Sequence, residues 1–241
     1  GHGAQTLEPE PASTGVGSRD SCVRARPFRD MEGPFMADKV RYRTIDIVTP
    51  VMIAVAFGVI FLGYGAVYSF LKPLTSVYLP VEGILSGIWF LPALLAGLIV
   101  RKPGAALLSE ILAASIEAAL GGQWGAGTII SGVIQGLPME LCLLVVAYRK
   151  AGPKLAMVAG ALTGVAEGIY ERISYYPMFR FGDTIVYFIF MVASGALLGG
   201  LVASGIVRGL AAAGALNPFA VSRELRGGKS TRSTTSARNL S

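Results

Sequence analysis

Histidine is nearly missing from this chain: of 241 residues one is His, at position 2. That excludes a Ser-His-Asp triad, an HExxH zinc site and a haem histidine. Cysteine is almost as scarce. Cys22 falls in a polar stretch and Cys142 in an apolar run, so no disulfide framework is expected. Charge is low as well, 15% of residues against roughly 25% in an average soluble chain. The 31 glycines and 13 prolines follow no Gly-X-Y period. These shortages disfavour a soluble globular enzyme, a disordered chain and a disulfide scaffold, and they lead to no cofactor and no metal site. What the chain has instead is apolar residues, 53% of the total, with a mean hydropathy of +0.58.

The apolar residues fall in runs. A membrane helix needs roughly 20 of them. Residues 47–71, 83–100 and 184–207 carry no charge. Residues 103–120 hold only Glu110 and Glu117, and residues 125–148 only Glu140. Residues 155–176 hold Glu167, Glu171 and Arg172. Turn residues separate the runs, as at Lys72-Pro73, Arg101-Lys102-Pro103, Gly121-Gly122 and Ala151-Gly152-Pro153. The expected fold is an all-α integral membrane bundle of six transmembrane helices. Lys and Arg orient it: outside residues 1–35, 14 fall on the side of both termini and 3 on the other, which makes both termini cytoplasmic. The net charge of +6 mostly reports this asymmetry, and no nucleic-acid partner is expected.

Three regions follow: a disordered N-terminal tail over 1–35, a membrane domain over 36–221 and a basic disordered tail over 222–241. Residues 1–35 have no hydrophobic periodicity and no signal-peptide core, and Met31 and Met36 are candidate initiators. Gly228-Lys229-Ser230 has the ending of a phosphate-binding loop, but Arg223 stands where that motif needs Gly.

Small residues recur every four positions at Gly195, Gly199 and Ala203 and at Ala54 and Gly58, a spacing that lets helix backbones approach closely. Intramolecular packing is the reading for the last span. For the first, Ala54 and Gly58 are expected to form a docking face for another membrane protein. Ionisable groups inside spans are functional candidates by default. Glu110, Ala113, Ala114 and Glu117 share one helix face, Ser131 and Gln135 another, and Glu167 and Glu171 a third. Helix direction puts Glu117, Gln135, Glu167, Tyr170, Glu171 and Trp89 in the outer half of the bundle, with Gln123 and Trp124 in an outer loop. Carboxylates with aromatic faces suit a cationic or amine-bearing ring, so these eight residues form the candidate ligand site. Glu110 and Glu140, deeper, are expected to be structural or coupling groups. Other roles stand beside these: Trp124 and Tyr175 as interfacial anchors, and Glu171 as a partner of Arg172 or Arg180.

Ser86-Gly87-Ile88-Trp89-Phe90, the run from Ile99 through Arg101-Lys102-Pro103-Gly104-Ala105-Ala106-Leu107, and Ser109-Glu110-Ile111 resemble the YkoE family. So do Glu117-Ala118-Ala119-Leu120-Gly121, Gln135-Gly136-Leu137 with Glu140, and Ser194-Gly195-Ala196-Leu197-Leu198, over roughly residues 42–226. The family consists of substrate-binding S components of energy-coupling-factor vitamin transporters. The resemblance implies a multi-pass cell-membrane protein that takes up thiamine or its hydroxymethylpyrimidine precursor. It also implies a membrane coupling subunit (T component) and two cytoplasmic ATPase subunits as partners. The fixed cation of thiamine leans the carboxylate-rich pocket toward thiamine. Two rival classes are an intramembrane enzyme using glutamate acid–base chemistry and a small channel; the first lacks an activated nucleophile.

Overall fold

A backbone in hydrocarbon has to satisfy its own hydrogen bonds, which favours helices. The computed structural model describes residues 41–225 together with Gly1, and every regular element among them is helical. Of the tails expected over 1–35 and 222–241, residues 2–35 and 226–241 lie outside the described residues. Within the unit Arg41–Ser241 the order is α1 (Thr44–Thr75), a 3-10 stretch (Leu79–Ile88), α2 (Leu91–Val100), α3 (Ala105–Ala119), α4 (Gly127–Val145), α5 (Pro153–Ser174), α6 (Phe181–Ser194), a π stretch (Gly195–Leu201) and α7 (Val202–Ala212). Residues 220–225 are also helical, with Val221 and Ser222 buried, so the boundary expected at 222 falls inside a helical turn.

Four stretches of the described chain are long and apolar enough to cross a membrane: Thr44–Thr75, Leu79–Val100, Gly127–Val145 and Phe181–Ala212. The other two expected spans differ in composition. Helix α3 has 15 residues and buries Glu110 and Glu117; α5 has 22 and carries Lys154, Glu167, Glu171 and Arg172. The outer surface is apolar, as a lipid-facing surface must be: Met52, Val55, Val59, Leu141, Leu144, Ile169, Ile173 and Ile189 are exposed. The polar residues are inside. Helix α2 is apolar on every face, and each of its 10 residues is buried. Helices α3 and α4 pack on each other, α1 packs on α3, and α5 packs on α4, α6 and the π stretch.

Two spans are less regular than expected. The second is α-helical only from Leu91; before it, Leu79–Ile88 winds as a 3-10 helix against α6. A side chain replaces part of the regular bonding there. The Ser194 hydroxyl donates to the Ile84 carbonyl at 2.6 Å, and the Gly87 amide donates to Ser194 Oγ at 2.9 Å. The sixth loosens into the π stretch where α5 presses on it. A Cβ on Gly160 would lie 2.0 Å from the Gly195 carbonyl oxygen, so only glycine fits this crossing.

The small face of α1 is turned inward, against the docking role expected of it. Ala54 is fully buried, and a Cβ on Gly58 would come within 2.6 Å of Ile116 on α3. Close packing of α1 on α3 accounts for both residues.

Candidate functional site

These helices converge on one cavity. Trp89 and Phe90 stand at the junction of the 3-10 stretch with α2; Glu110 and Glu117 come from α3, and Thr128, Ser131 and Gln135 from α4. Helix α5 contributes Glu167 and Glu171, and Tyr175 follows at its end. Five carboxylates line the walls, Glu82 being the fifth, with no Lys, Arg or His among them. The space is narrow, about 50 Å³. Ligand sites typically span roughly 300–1,000 Å³, well above this volume.

The carboxylates fall into two groups by what they already hold. Glu82 is saturated: it accepts from the Tyr68 hydroxyl at 2.7 Å, Tyr176 at 2.9 Å and Thr75 at 3.0 Å. Glu171 accepts from the Tyr187 hydroxyl. Arg172 turns away from Glu171, donating to Thr184 Oγ1 and to the Tyr176 and Phe179 carbonyls, so the pairing weighed for Glu171 is not formed with it. The second group has acceptors to spare. Glu110 Oε1, Glu117 Oε2, Thr128 Oγ1 and Glu167 Oε2 are buried without a hydrogen-bond partner among the described residues. Glu167 takes one bond from the Ser131 hydroxyl, and Gln135 Nε2 reaches Ser131 Oγ at 3.5 Å. Unpaired buried acceptors are costly and rare, so a cluster of them marks a place where a donor belongs.

Aromatic rings form a continuous wall. Trp89 sits 4.7 Å from Tyr64 and 5.7 Å from Tyr68. Trp124 then lies 5.7 Å from Tyr68 and 5.5 Å from Tyr175, joining α1 to α5 across the α3–α4 loop. Trp124 and Tyr175 are therefore part of the cavity wall, beside any role at the membrane boundary.

Of the eight residues expected at the ligand site, Trp89, Glu117, Trp124, Gln135, Glu167 and Glu171 line the cavity. Gln123 and Tyr170 do not. The Gln123 amide donates to the Gly65 carbonyl at 3.3 Å and accepts from the Ser69 hydroxyl at 2.8 Å, tying the loop to α1. Tyr170 backs Tyr175 from behind, ring to ring at 5.9 Å. Glu140 lies away from the cavity, at the start of α3. It accepts from the Gly104 amide at 2.6 Å, the Ala106 amide at 3.2 Å and the Tyr148 hydroxyl at 2.7 Å, capping the start of α3. Glu110 departs from its expected place. One oxygen caps α2 by accepting from the Ala93 amide at 2.7 Å, but the other belongs to the cavity wall. Helix register explains this, since Glu110 lies seven residues before Glu117 on the same face.

Sequence reasoning missed Glu82, Tyr68, Tyr176 and Tyr187. Glu82 was the one with a signal: it is a lone carboxylate at the head of an apolar run, the kind of residue that asks for a partner. Nothing periodic marks the tyrosines. No group of His, Cys, Asp and Glu that would hold a metal ion occurs among the described residues.

A family model described as "ABC-type cobalt transport system, permease component" matches residues 45–166. A protein of Bacillus subtilis (strain 168), named as a candidate HMP/thiamine permease protein, YkoE, is 33% identical over 187 residues, covering 77% of this chain and 92% of that one. A crystal structure of an S component of an ECF transporter superposes with a TM-score of 0.73 at 31% identity, covering 81% of this chain and 98% of that one. A lipid-facing apolar surface around a bundle with a carboxylate-lined cavity, in a fold shared with these proteins, makes this a multi-pass cell-membrane transport subunit and not an enzyme. The chain belongs to the YkoE family, the S components of energy-coupling-factor transporters.

Proposed function

We propose that the chain is the substrate-binding subunit for thiamine or its hydroxymethylpyrimidine precursor, held in the cavity of the outer half. The observation that carries this is the pattern of unpaired acceptors. Glu110 Oε1, Glu117 Oε2, Thr128 Oγ1 and Glu167 Oε2 await donors inside a wall that has five carboxylates, aromatic faces and no basic residue. An aminopyrimidine brings N–H donors and a flat ring, and the thiazolium of thiamine adds a cation. A phosphorylated form brings negative charge to carboxylates and is rejected. Trp89, Glu117, Trp124, Gln135, Glu167 and Glu171 contact the ligand, with Glu110 beside them. Gln123 and Tyr170 support the loop and the wall.

The chain crosses the membrane six times, α3 and α5 crossing with their polar faces inward, and both termini are cytoplasmic. In support, Arg41, Arg43, Arg101, Lys102, Arg149 and Arg223, which the charge count assigns to one side, gather around one concavity. Uptake is driven by a T component and two ATPase subunits, since the chain has no ATP motif of its own. Calorimetry on the purified protein tests the ligand: thiamine or hydroxymethylpyrimidine should bind saturably and thiamine monophosphate should not. Tight binding of the monophosphate, or of none of the three, overturns the reading.

A further inference from the structure

Helices α1, α2 and α4 bring their other ends to a second concavity, of about 580 Å³, where the described chain also returns at residues 219–223. Six basic side chains line it, Arg41, Arg43, Arg101, Lys102, Arg149 and Arg223, against one carboxylate, Asp46. Asp46 is buried and already committed. It takes Lys102 Nζ at 2.6 Å and Arg43 Nη2 at 3.2 Å. Arg101 is committed too, since Nη1 grips both oxygens of Glu224 at 2.8 Å and Nη2 donates to the Ala151 carbonyl at 2.9 Å. These contacts build a frame rather than neutralise the wall. Arg41, Arg149 and Arg223 are exposed, and none of them forms an ion pair with another described residue.

Depth identifies the ligand. The concavity lies where α1 begins at Thr44, where α2 ends at Val100 and just beyond the end of α4 at Val145. Those are the points at which apolar helix gives way to polar chain, the level of lipid headgroups. Planar guanidinium groups match phosphate oxygens through paired N–H donors. The volume exceeds what a single small ion needs. We propose that this concavity binds the headgroup of an anionic phospholipid, its phosphate shared by Arg41, Arg149 and Arg223. The site is separate from the aromatic cavity and does not depend on which vitamin that cavity holds.

Native mass spectrometry of the full chain, released from micelles containing equal phosphatidylglycerol and phosphatidylcholine, tests the proposal. One phosphatidylglycerol should be retained in preference to phosphatidylcholine, and excess inorganic phosphate should not displace it. Arg149→Gln with Arg223→Gln should weaken retention about 30-fold, at about a factor of five for each surface cation. Lys150→Gln with Lys154→Gln removes the same charge outside the concavity and should leave retention unchanged. A melting temperature matched to wild type shows that each double variant is folded. Equal loss in both double variants would mean diffuse surface charge and would overturn the site. Displacement by inorganic phosphate would make it a free-anion site. Lipid retention untouched by Arg149→Gln with Arg223→Gln, with binding of an acidic protein segment lost instead, would make it a protein contact. Either result overturns the lipid assignment.

Discussion

Every bond that Glu140 makes goes to the start of α3 or to Tyr148, and none goes to the cavity. Glu117 is the reverse case, a buried carboxylate on the cavity wall with one oxygen unpaired. Two glutamates in one bundle thus carry different predictions. Glu140→Gln should lower stability by about 1–3 kcal/mol while leaving ligand affinity unchanged. Glu117→Gln or Gln135→Ala should leave the fold intact and weaken binding about 5- to 150-fold, the equivalent of about 1–3 kcal/mol. Thermal melts in detergent alongside calorimetry check both. The faces of α3, α4 and α5 were legible because helical spacing aligns Glu110 with Glu117 and Ser131 with Gln135. Glu82 with Tyr176 was not, because 94 residues separate the two and only the folded chain brings them together.

Close helix crossings set the shape of the bundle at the level of its elements. Helix α5 meets the π stretch backbone to backbone at Gly160 and Gly195, while Gly63 on α1 has open space around it. Alanine should therefore act with opposite sign at the two kinds of site. Gly160→Ala should destabilise by about 1–3 kcal/mol or more through overpacking. Gly63→Ala should stabilise by up to about 1 kcal/mol, as expected for a glycine inside an exposed helix. Melting temperatures of the two variants decide it; equal shifts would contradict the packing described. The small-residue spacing announced that close approaches exist, but not which helix answers each one. That is why Ala54 and Gly58, which look like a docking face in sequence, meet α3 of the same chain. The second span was legible as a span but not as a 3-10 helix, because the Ser194 side chain that reshapes it comes from α6.

At the largest scale the described residues 41–225 have an apolar outer surface and a carboxylate-lined cavity, with six basic residues gathered around one concavity. In the proposed topology that concavity faces the cytoplasm. In a background without Cys22 and Cys142, a cysteine at Lys150 should label only in permeabilised cells and one at Ala126 in intact cells. The opposite pattern would reverse the orientation. For a ligand in the aromatic cavity the chain supplies its own reporter. Its two tryptophans, Trp89 and Trp124, both line that cavity. Titration of thiamine into the purified protein, followed by tryptophan fluorescence, is the most direct test. A ligand between the two rings should give saturable quenching whose midpoint agrees with calorimetry and rises about 5- to 150-fold in Glu117→Gln. Calorimetric binding with unchanged fluorescence would place the ligand elsewhere and contradict the proposed site.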